Sequence, residues 1–232
     1  MKFFRKTRKK LLANRKIGKY LAYAVGEVLL VMIGILLALQ VNTWSANSSK
    51  EKSRIASYQK IKLQLEEDIL VLRGNKEYNQ GYFEQYQYAI SIIENQDRIK
   101  MDTLAQITMN LNKFSDFHKE SSVYETLVNS GEIKLLKNDE IVKKIQRLEE
   151  LYIYINILEN THHDAVMIFI PEIAQVIKVN QMEVKYPDQL YSFEFQNYFV
   201  LMLNLMQEKD QIYDRTLNEV NSIVALIEGE LN

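Results

Sequence analysis

Cysteine is absent from the 232 residues, and glycine and proline are scarce, with seven and two residues. Without a thiol, the chain can form neither a disulfide framework nor a thiolate metal site. Because glycine and proline supply the strongest turn signals, their scarcity leaves long stretches of Leu, Ile, Glu, Lys, Gln and Asn uninterrupted. Such residues favour helices, so the composition predicts an all-α chain.

Signatures of common enzyme classes are also missing. The chain carries no G-x-S-x-G, no Walker loop, no G-x-G-x-x-G and no H-E-x-x-H. Carboxylates are plentiful, but solvated helix faces account for them and no pair stands out as catalytic. We therefore predict that the protein is not an enzyme and that it uses no cofactor.

The charged residues are unevenly distributed along the chain. The first 19 residues hold nine Lys or Arg and no acid, whereas residues 46–232 hold 20 basic and 29 acidic residues, a net charge of −9. A basic tail directly before an apolar span favours a topology signal over a nucleic-acid arm. The acidic remainder argues against a nucleic-acid partner.

The apolar span follows this tail and runs from Tyr20 to Val41 with a single charged residue. At roughly 1.5 Å per residue, a helix of this length crosses a hydrocarbon core of about 30 Å. A cleaved signal peptide has a shorter apolar region and a small-x-small cleavage site, for which only Thr43-Trp44-Ser45 qualifies. The span is therefore predicted to be an uncleaved signal anchor.

These features divide the chain into a basic cytoplasmic tail at 1–19, a transmembrane anchor at 20–42 and an extracytoplasmic helical domain at 43–232. The positive charges before the anchor place the N-terminus in the cytoplasm. In a two-membrane bacterium, this topology predicts a single-pass protein of the inner membrane with a periplasmic domain. The expected fold is one N-terminal transmembrane helix followed by an elongated antiparallel helical bundle.

One face of the anchor combines a carboxyl group with small residues. Its members are Tyr23, Gly26, Glu27, Gly34 and Ala38. An ionised carboxylate within the span is expensive and generally marks an interior-facing position. Small residues beside it let a second helix approach closely, which predicts self-association or docking to another membrane helix. The alternative is a protonated Glu27 that hydrogen-bonds locally or extends toward the headgroups.

The segment KYLAYAVGEVLLVMIGILLALQVNTW resembles the N-terminal signature of an uncharacterised family of single-span membrane proteins from Bacteroidota, a domain of unknown function. The positions that carry this resemblance are Lys19, Tyr20, Tyr23, Gly26, Glu27, Leu30, Gly34, Ile35, Ala38, Leu39, Gln40, Asn42 and Trp44. A second similarity lies at Tyr124–Leu136, YETLVNSGEIKLL, where the family has a Leu, a Ser-Gly pair and an apolar pair in the same order. The resemblance implies class and location, and no activity.

Beyond the anchor, apolar residues at steps of three and four predict a helical bundle with coiled-coil-like spacing. Gly74 and Asn75 are expected to end the first of these helices and to start a hairpin. Gly131 is expected to end a short helix through a positive φ. Asn138 is expected to cap the longest helix, and Pro171 to kink or end it.

Glu159 and His162 form an E-x-x-H unit on the apolar stripe of the longest helix. Bundle di-iron sites use this spacing, but they need a second E-x-x-H unit and two further inward-facing Glu residues. The remaining histidines, His118 and His163, supply no second copy. A histidine that hydrogen-bonds to a carboxylate one turn away is the commoner arrangement, so the pair is a weak candidate for a metal site.

The function expected from these features is a tethered bundle that binds another envelope protein or a second copy of itself, with the lipid bilayer holding the anchor. The alternative is an extracytoplasmic ligand-binding or sensor module. An enzyme or metal-binding bundle without a recognisable motif comes third. A pocket of converging polar side chains favours ligand binding, whereas a closed core with an exposed apolar stripe favours a protein partner.

Overall fold

The computed structural model describes residues 17–117 and 123–232, so most of the predicted basic tail lies outside the described residues. Nearly all described residues are helical, which confirms the all-α class. The helices are α1 (Ile17–Glu94), α2 (Met101–Met109), α3 (Val123–Ser130), α4 (Asp139–Val176), α5 (Pro187–Leu190) and α6 (Phe193–Leu231). Short 3₁₀ helices lie at Arg98–Lys100, Asn110–Asn112 and Glu132–Leu135. An antiparallel pair of strands, β1 (Ile177–Lys178) and β2 (Glu183–Val184), joins α4 to α5.

The chain divides into two compact units, Met1–Ser53 and Arg54–Asn232. The described part of the first unit is the N-terminal portion of α1. Its large apolar side chains between Leu21 and Val41 are exposed, and an 18-residue window there has a mean hydropathy of 2.4. Within the described chain, α1 is the one helix long and apolar enough to cross a membrane.

Helix α1 does not end at Gly74 and Asn75, so the predicted break and hairpin at that point are wrong. The helix runs on to Glu94, and the chain then turns at Gln96, whose φ is 48°. A glycine inside a helix costs only about 0.5–1 kcal/mol relative to alanine. Burial of neighbouring side chains such as Leu72 exceeds that cost.

Helix α4 likewise continues past Pro171 and ends at Val176. A proline within a helix removes one backbone hydrogen bond and crowds the preceding turn. The side chains of Phe169, Ile173 and Val176 are all buried on the core face around it. Their burial holds the last turns in helical conformation despite the proline.

The structure confirms the predicted glycine at the end of α3 and the predicted asparagine cap at the start of α4. Gly131 has a φ of 73° at the end of α3, in the left-handed region that glycine adopts without strain. The side-chain oxygen of Asn138 accepts from the backbone N–H groups of Glu140 at 3.0 Å and Ile141 at 3.3 Å. Its amide nitrogen donates to Glu230 at 3.0 Å, which ties the start of α4 to the end of α6.

Helices α1, α4 and α6 bury two clusters of apolar side chains in the second unit. The first core cluster includes Tyr58, Leu65, Leu72, Ile141, Ile145, Leu148, Ile155, Leu158, Ile212, Val220 and Ile223. The second core cluster includes Tyr86, Ala89, Ile93, Val166, Phe169, Ile173, Phe195, Phe199, Met202 and Met206. Each of the three helices therefore contributes to both clusters.

Helices α4 and α6 pack side by side in opposite directions. Lys144 pairs with Glu219 at 3.4 Å, and Phe169 stacks on Tyr198 with ring centroids 4.3 Å apart. The residue numbers rise along α4 as they fall along α6. This antiparallel pairing places the middle of α4 beside the middle of α6, where the two core clusters meet.

Candidate functional site

Polar side chains interrupt the apolar core at the level where the two clusters meet. On α4, Glu159 and His162 follow the last residue of the first core cluster, and on α6 Lys209 stands between the two clusters. The polar layer is defined here as Asn79, Ser115, Glu159, His162, Lys209 and Tyr213, all of which are buried. Buried polar groups require hydrogen-bond partners. The amide nitrogen of Asn79 donates to the Met206 carbonyl oxygen at 2.9 Å, while its Oδ1 has no partner within the described residues.

Glu159 is held by two donors that act on the same carboxylate oxygen. Its Oε1 accepts from the backbone N–H of Phe117 at 2.7 Å and from the Tyr213 hydroxyl at 2.9 Å. A tyrosine has one hydroxyl proton, so Ser115, whose oxygen lies 3.0 Å from that of Tyr213, is the donor in that contact. The result is a chain of donors from Ser115 through Tyr213 to Glu159.

Opposing effects act on the proton affinity of these groups. Burial raises the pKa of the Glu159 carboxyl above its ordinary value, and it outweighs the hydrogen bonds from Tyr213 and Phe117 and the charge of Lys209, which lower the pKa. Burial also raises the pKa of the Tyr213 hydroxyl, and the Glu159 charge raises it further. Tyr213 therefore keeps its proton at neutral pH and remains a donor to Glu159.

Lys209 is fully buried, which is rare for a lysine. Its ammonium donates to the Ser115 carbonyl oxygen at 2.9 Å, which uses one of its three N–H bonds. Burial lowers the pKa of Lys209 to about 8, against the charges of Glu159 and Asp116, which raise it. At neutral pH the ammonium form prevails, so the charges of Lys209 and Glu159 offset one another.

His162 is also fully buried, and neither ring nitrogen has a hydrogen-bond partner within the described part of the chain. Its ring lies 5.4 Å from that of Phe114. Burial lowers the pKa of His162 to about 3, and the charge of Lys209 lowers it as well, so the ring is neutral at physiological pH. The hydrogen bond to a carboxylate one turn away that the sequence favoured is not present: Glu159 Oε1 accepts from Phe117 and Tyr213, and Oε2, like the His162 nitrogens, has no partner within the described residues.

The arrangement around Glu159 and His162 differs from that of a bundle metal centre. In residues 17–117 and 123–232, no group of three or more His, Cys, Asp or Glu side chains comes close enough to hold a metal ion. The charge of the Lys209 ammonium acts on both Glu159 and His162, and it would repel a cation. His118 lies outside the described residues, and His163 is exposed.

Sequence reasoning missed Lys209, Tyr213 and Ser115 as members of the site. Lys209 lies three residues after Met206 and four before Tyr213, so it occupies a core position of the α6 apolar stripe. A lysine at such a position is a recognisable signal. Ser115 gives no signal of this kind, because it reaches the core from an irregular segment that follows the second 3₁₀ helix.

In the first unit, the predicted contact face of the anchor lies on the described part of α1. Gly26, Gly34 and Ala38 are exposed and Glu27 is half-buried, while the side chain of Tyr23 lies outside the described residues. A Cβ added at Gly26 or Gly34 would meet no atom within 4 Å. The surface at these glycines is therefore open to a second helix.

The outer surface of α4 carries exposed apolar side chains. The α4 outer face is defined as Ile153, Ile157, Met167 and Ile168, which are 50–67 % exposed. At 3.6 residues per turn, these positions fall within an arc of about 100° on the side opposite to the buried stripe. They form two apolar pairs on this side of α4, Ile153 with Ile157 and Met167 with Ile168, and the exposed polar residues Asn160, Thr161 and Asp164 lie between the pairs.

Comparison with protein families gives one match, a family of unknown function, DUF6090, over residues 27–187. This match covers more than half of the 232 residues. The chain belongs to the DUF6090 family. No curated protein and no solved structure matches the chain.

The DUF6090 match includes Glu27 and the α4 outer face. It also includes four members of the polar layer, Asn79, Ser115, Glu159 and His162, and it ends before α6, which carries Lys209 and Tyr213. The polar layer is thus built partly from the matched segment and partly from the helix that follows it. Chemically, the layer offers a carboxyl group, an ammonium group and a neutral imidazole, all enclosed by the bundle.

Proposed function

We propose that this protein is a single-span envelope tether whose helical domain binds another envelope protein or a second copy of itself. Residues 20–42 form the uncleaved signal anchor in the inner membrane, residues 1–19 lie in the cytoplasm and residues 43–232 lie in the periplasm. Three features support this placement: the apolar span at the start of α1, the nine basic residues before that span, and the resemblance of residues 19–44 to single-span proteins of Bacteroidota.

The α4 outer face is the observation that carries the binding function. Single exposed apolar side chains are ordinary on protein surfaces, whereas a group of them on one face marks an interaction site. Ile153 and Ile157 lie one turn apart, and Ile168 lies three turns further along the same face. Partner binding would remove these side chains from water, which contributes about 25 cal/mol per Å² of apolar area buried.

The test uses the full chain, solubilised in detergent from its native host after crosslinking in cells. Ile157→Glu and Ile168→Glu each place a charge on the α4 outer face, and Leu63→Glu places one at an equally exposed site on α1. We expect the α4 variants to lose a crosslinked partner or a crosslinked dimer that the parent and Leu63→Glu retain. Recovery of the parent as an uncrosslinked monomer would overturn the proposal.

The topology has an independent test, because reporter domains can be fused at either side of the anchor. A reporter placed after residue 16 should register in the cytoplasm, and one placed after residue 60 should register outside it. The reverse pattern would overturn the proposed localisation and leave the binding test unaffected.

A ligand-binding role would need polar side chains that converge on an opening to solvent. The side chains of the polar layer converge, but none of them is more than 5 % exposed. They are inaccessible to a solute that approaches from outside the bundle. This burial argues against the polar layer as a sensor site, and a ligand would instead use the open pocket of about 530 Å³ that Gln175, Lys185 and Gln189 help to line.

A further inference from the structure

The polar layer contains several hydrogen-bonding atoms that no side chain or backbone group of the described chain satisfies. Both ring nitrogens of His162 and Oε2 of Glu159 are buried without a partner. Lys209 has two further N–H bonds beyond the one it donates to Ser115. Leaving a buried polar group unsatisfied destabilises the fold, so a cluster of such groups calls for a ligand that satisfies them.

These groups lie close to one another. Glu159 and His162 are three residues apart on the same face of α4, which makes them neighbours on the helix surface. Lys209 on α6 is connected to Glu159 through Ser115 and Tyr213, by contacts of 2.9 Å, 3.0 Å and 2.9 Å. The unsatisfied atoms therefore belong to one site between α4 and α6.

The mixture of groups defines the chemistry of the ligand. Neutral His162 offers one donor and one acceptor, Glu159 offers an acceptor, and Lys209 offers donors. A cation in this site would be repelled by the Lys209 ammonium, and an anion would be repelled by the Glu159 carboxylate. The two charges already compensate one another, so the site favours a small neutral molecule that both donates and accepts hydrogen bonds.

We propose that Glu159 Oε2, the His162 ring and the Lys209 ammonium form an internal binding site for water, which holds about two molecules. Buried water typically makes about three hydrogen bonds, so two molecules make about six, enough for the five unsatisfied donors and acceptors of these three side chains. Water bound there bridges α4 to α6 next to the direct contact between Tyr213 and Glu159. Its exchange with bulk water is slow, because the layer is closed off by the two core clusters.

The test observes the His162 ring by NMR in the full chain, in detergent micelles, with ¹⁵N-labelled histidine. His118→Asn and His163→Asn leave His162 as the single histidine of the chain. We expect a ring N–H signal with a rotating-frame Overhauser cross-peak to water. The sign of this cross-peak distinguishes a water molecule in close contact with the ring from exchange of the ring proton with water. Lys209→Met, introduced into the same background, should abolish or strongly reduce that cross-peak while circular dichroism shows the helices intact.

The possible results of this experiment distinguish bound water from a dry site and from a bound ion. A visible ring N–H signal without a water cross-peak means a dry site and overturns the proposal, and so does a signal lost through rapid exchange with bulk water. The spectra are then repeated after chelator treatment and with sulfate in place of chloride. Unchanged cross-peaks support water, whereas a shift of the His162 signal in either buffer identifies a bound ion and overturns it. If Lys209→Met fails to fold, the measurement on the parent background still decides the question.

Discussion

The Tyr213 hydroxyl donates to Glu159 Oε1 at 2.9 Å and so joins α6 to α4 within the core. The same hydroxyl accepts from Ser115, and the same carboxylate oxygen accepts from the N–H of Phe117. One tyrosine therefore links both long helices to the irregular segment that follows the second 3₁₀ helix. Since these groups are buried, each of these hydrogen bonds stabilises the fold more than the same bond would at the surface.

Replacing Tyr213 with phenylalanine should destabilise the helical domain by about 1–3 kcal/mol, because a buried carboxylate loses a donor and Ser115 loses its acceptor. Urea unfolding of the full chain in detergent, followed by circular dichroism, measures the change. Tyr58→Phe is the matched control, since Tyr58 is equally buried but its hydroxyl has no partner within the described residues. That variant should be neutral or slightly stabilising, and equal losses in the two variants would contradict the role given to Tyr213.

Glu159 and Lys209 are expected to be energetically coupled, because each charge offsets the other in a buried setting. Lys209→Met leaves an uncompensated carboxylate and Glu159→Gln leaves an uncompensated ammonium, so both single variants should lose stability. The double variant removes both charges and should lose less than the sum of the single variants, by more than about 0.5 kcal/mol. Strict additivity in a double-mutant cycle from urea unfolding would show that the two charges do not interact.

What sequence reasoning predicted correctly depends on local contacts. Asn138 caps α4 through N–H groups two and three residues away, and Gly131 adopts its positive φ within its own turn, so both features can be recognised in a short window. The hydrogen bond between Lys209 and the Ser115 carbonyl joins residues 94 positions apart, and no local pattern encodes it.

The prediction failed at Gly74 for a related reason. Glycine lowers helix propensity by about 1 kcal/mol at most, and this local signal is outweighed by the packing of α1 against α4 and α6. The strand pair at Ile177–Val184 was not predicted either, because two residues in each strand are too few to show an alternating pattern. In both cases tertiary contacts decide the local structure.

The depressed pKa of Lys209 predicts a specific dependence of stability on pH. In the folded protein this lysine loses its proton near pH 8, whereas in the unfolded chain it does so near 10.5. Between these values the unfolded state binds more protons, so the contribution of Lys209 to the free energy of unfolding rises with pH. Below about pH 8 the cost of burying the ammonium is fully present.

The comparison of the parent with Lys209→Met between about pH 7.5 and 9.5 isolates this contribution, because other titrating groups are common to both proteins. The difference in unfolding free energy should change in favour of the parent as pH rises. Because a single proton is involved, the slope is at most about 1.4 kcal/mol per pH unit. A difference that is constant over this range would mean that Lys209 titrates outside it.

The proposed contact face of the anchor predicts that the size of residue 34 controls association in the membrane. Gly34 leaves open space on α1, and a leucine there would hold a second helix away from Glu27. Gly34→Leu should weaken self-association of the full chain by about tenfold, equivalent to about 1.4 kcal/mol, as measured by sedimentation in detergent or by crosslinking in cells. Leu36→Phe adds volume to the opposite side of the same helix and should leave association unchanged. If the two variants associate alike, Glu27 is satisfied locally and the anchor only holds the domain at the membrane.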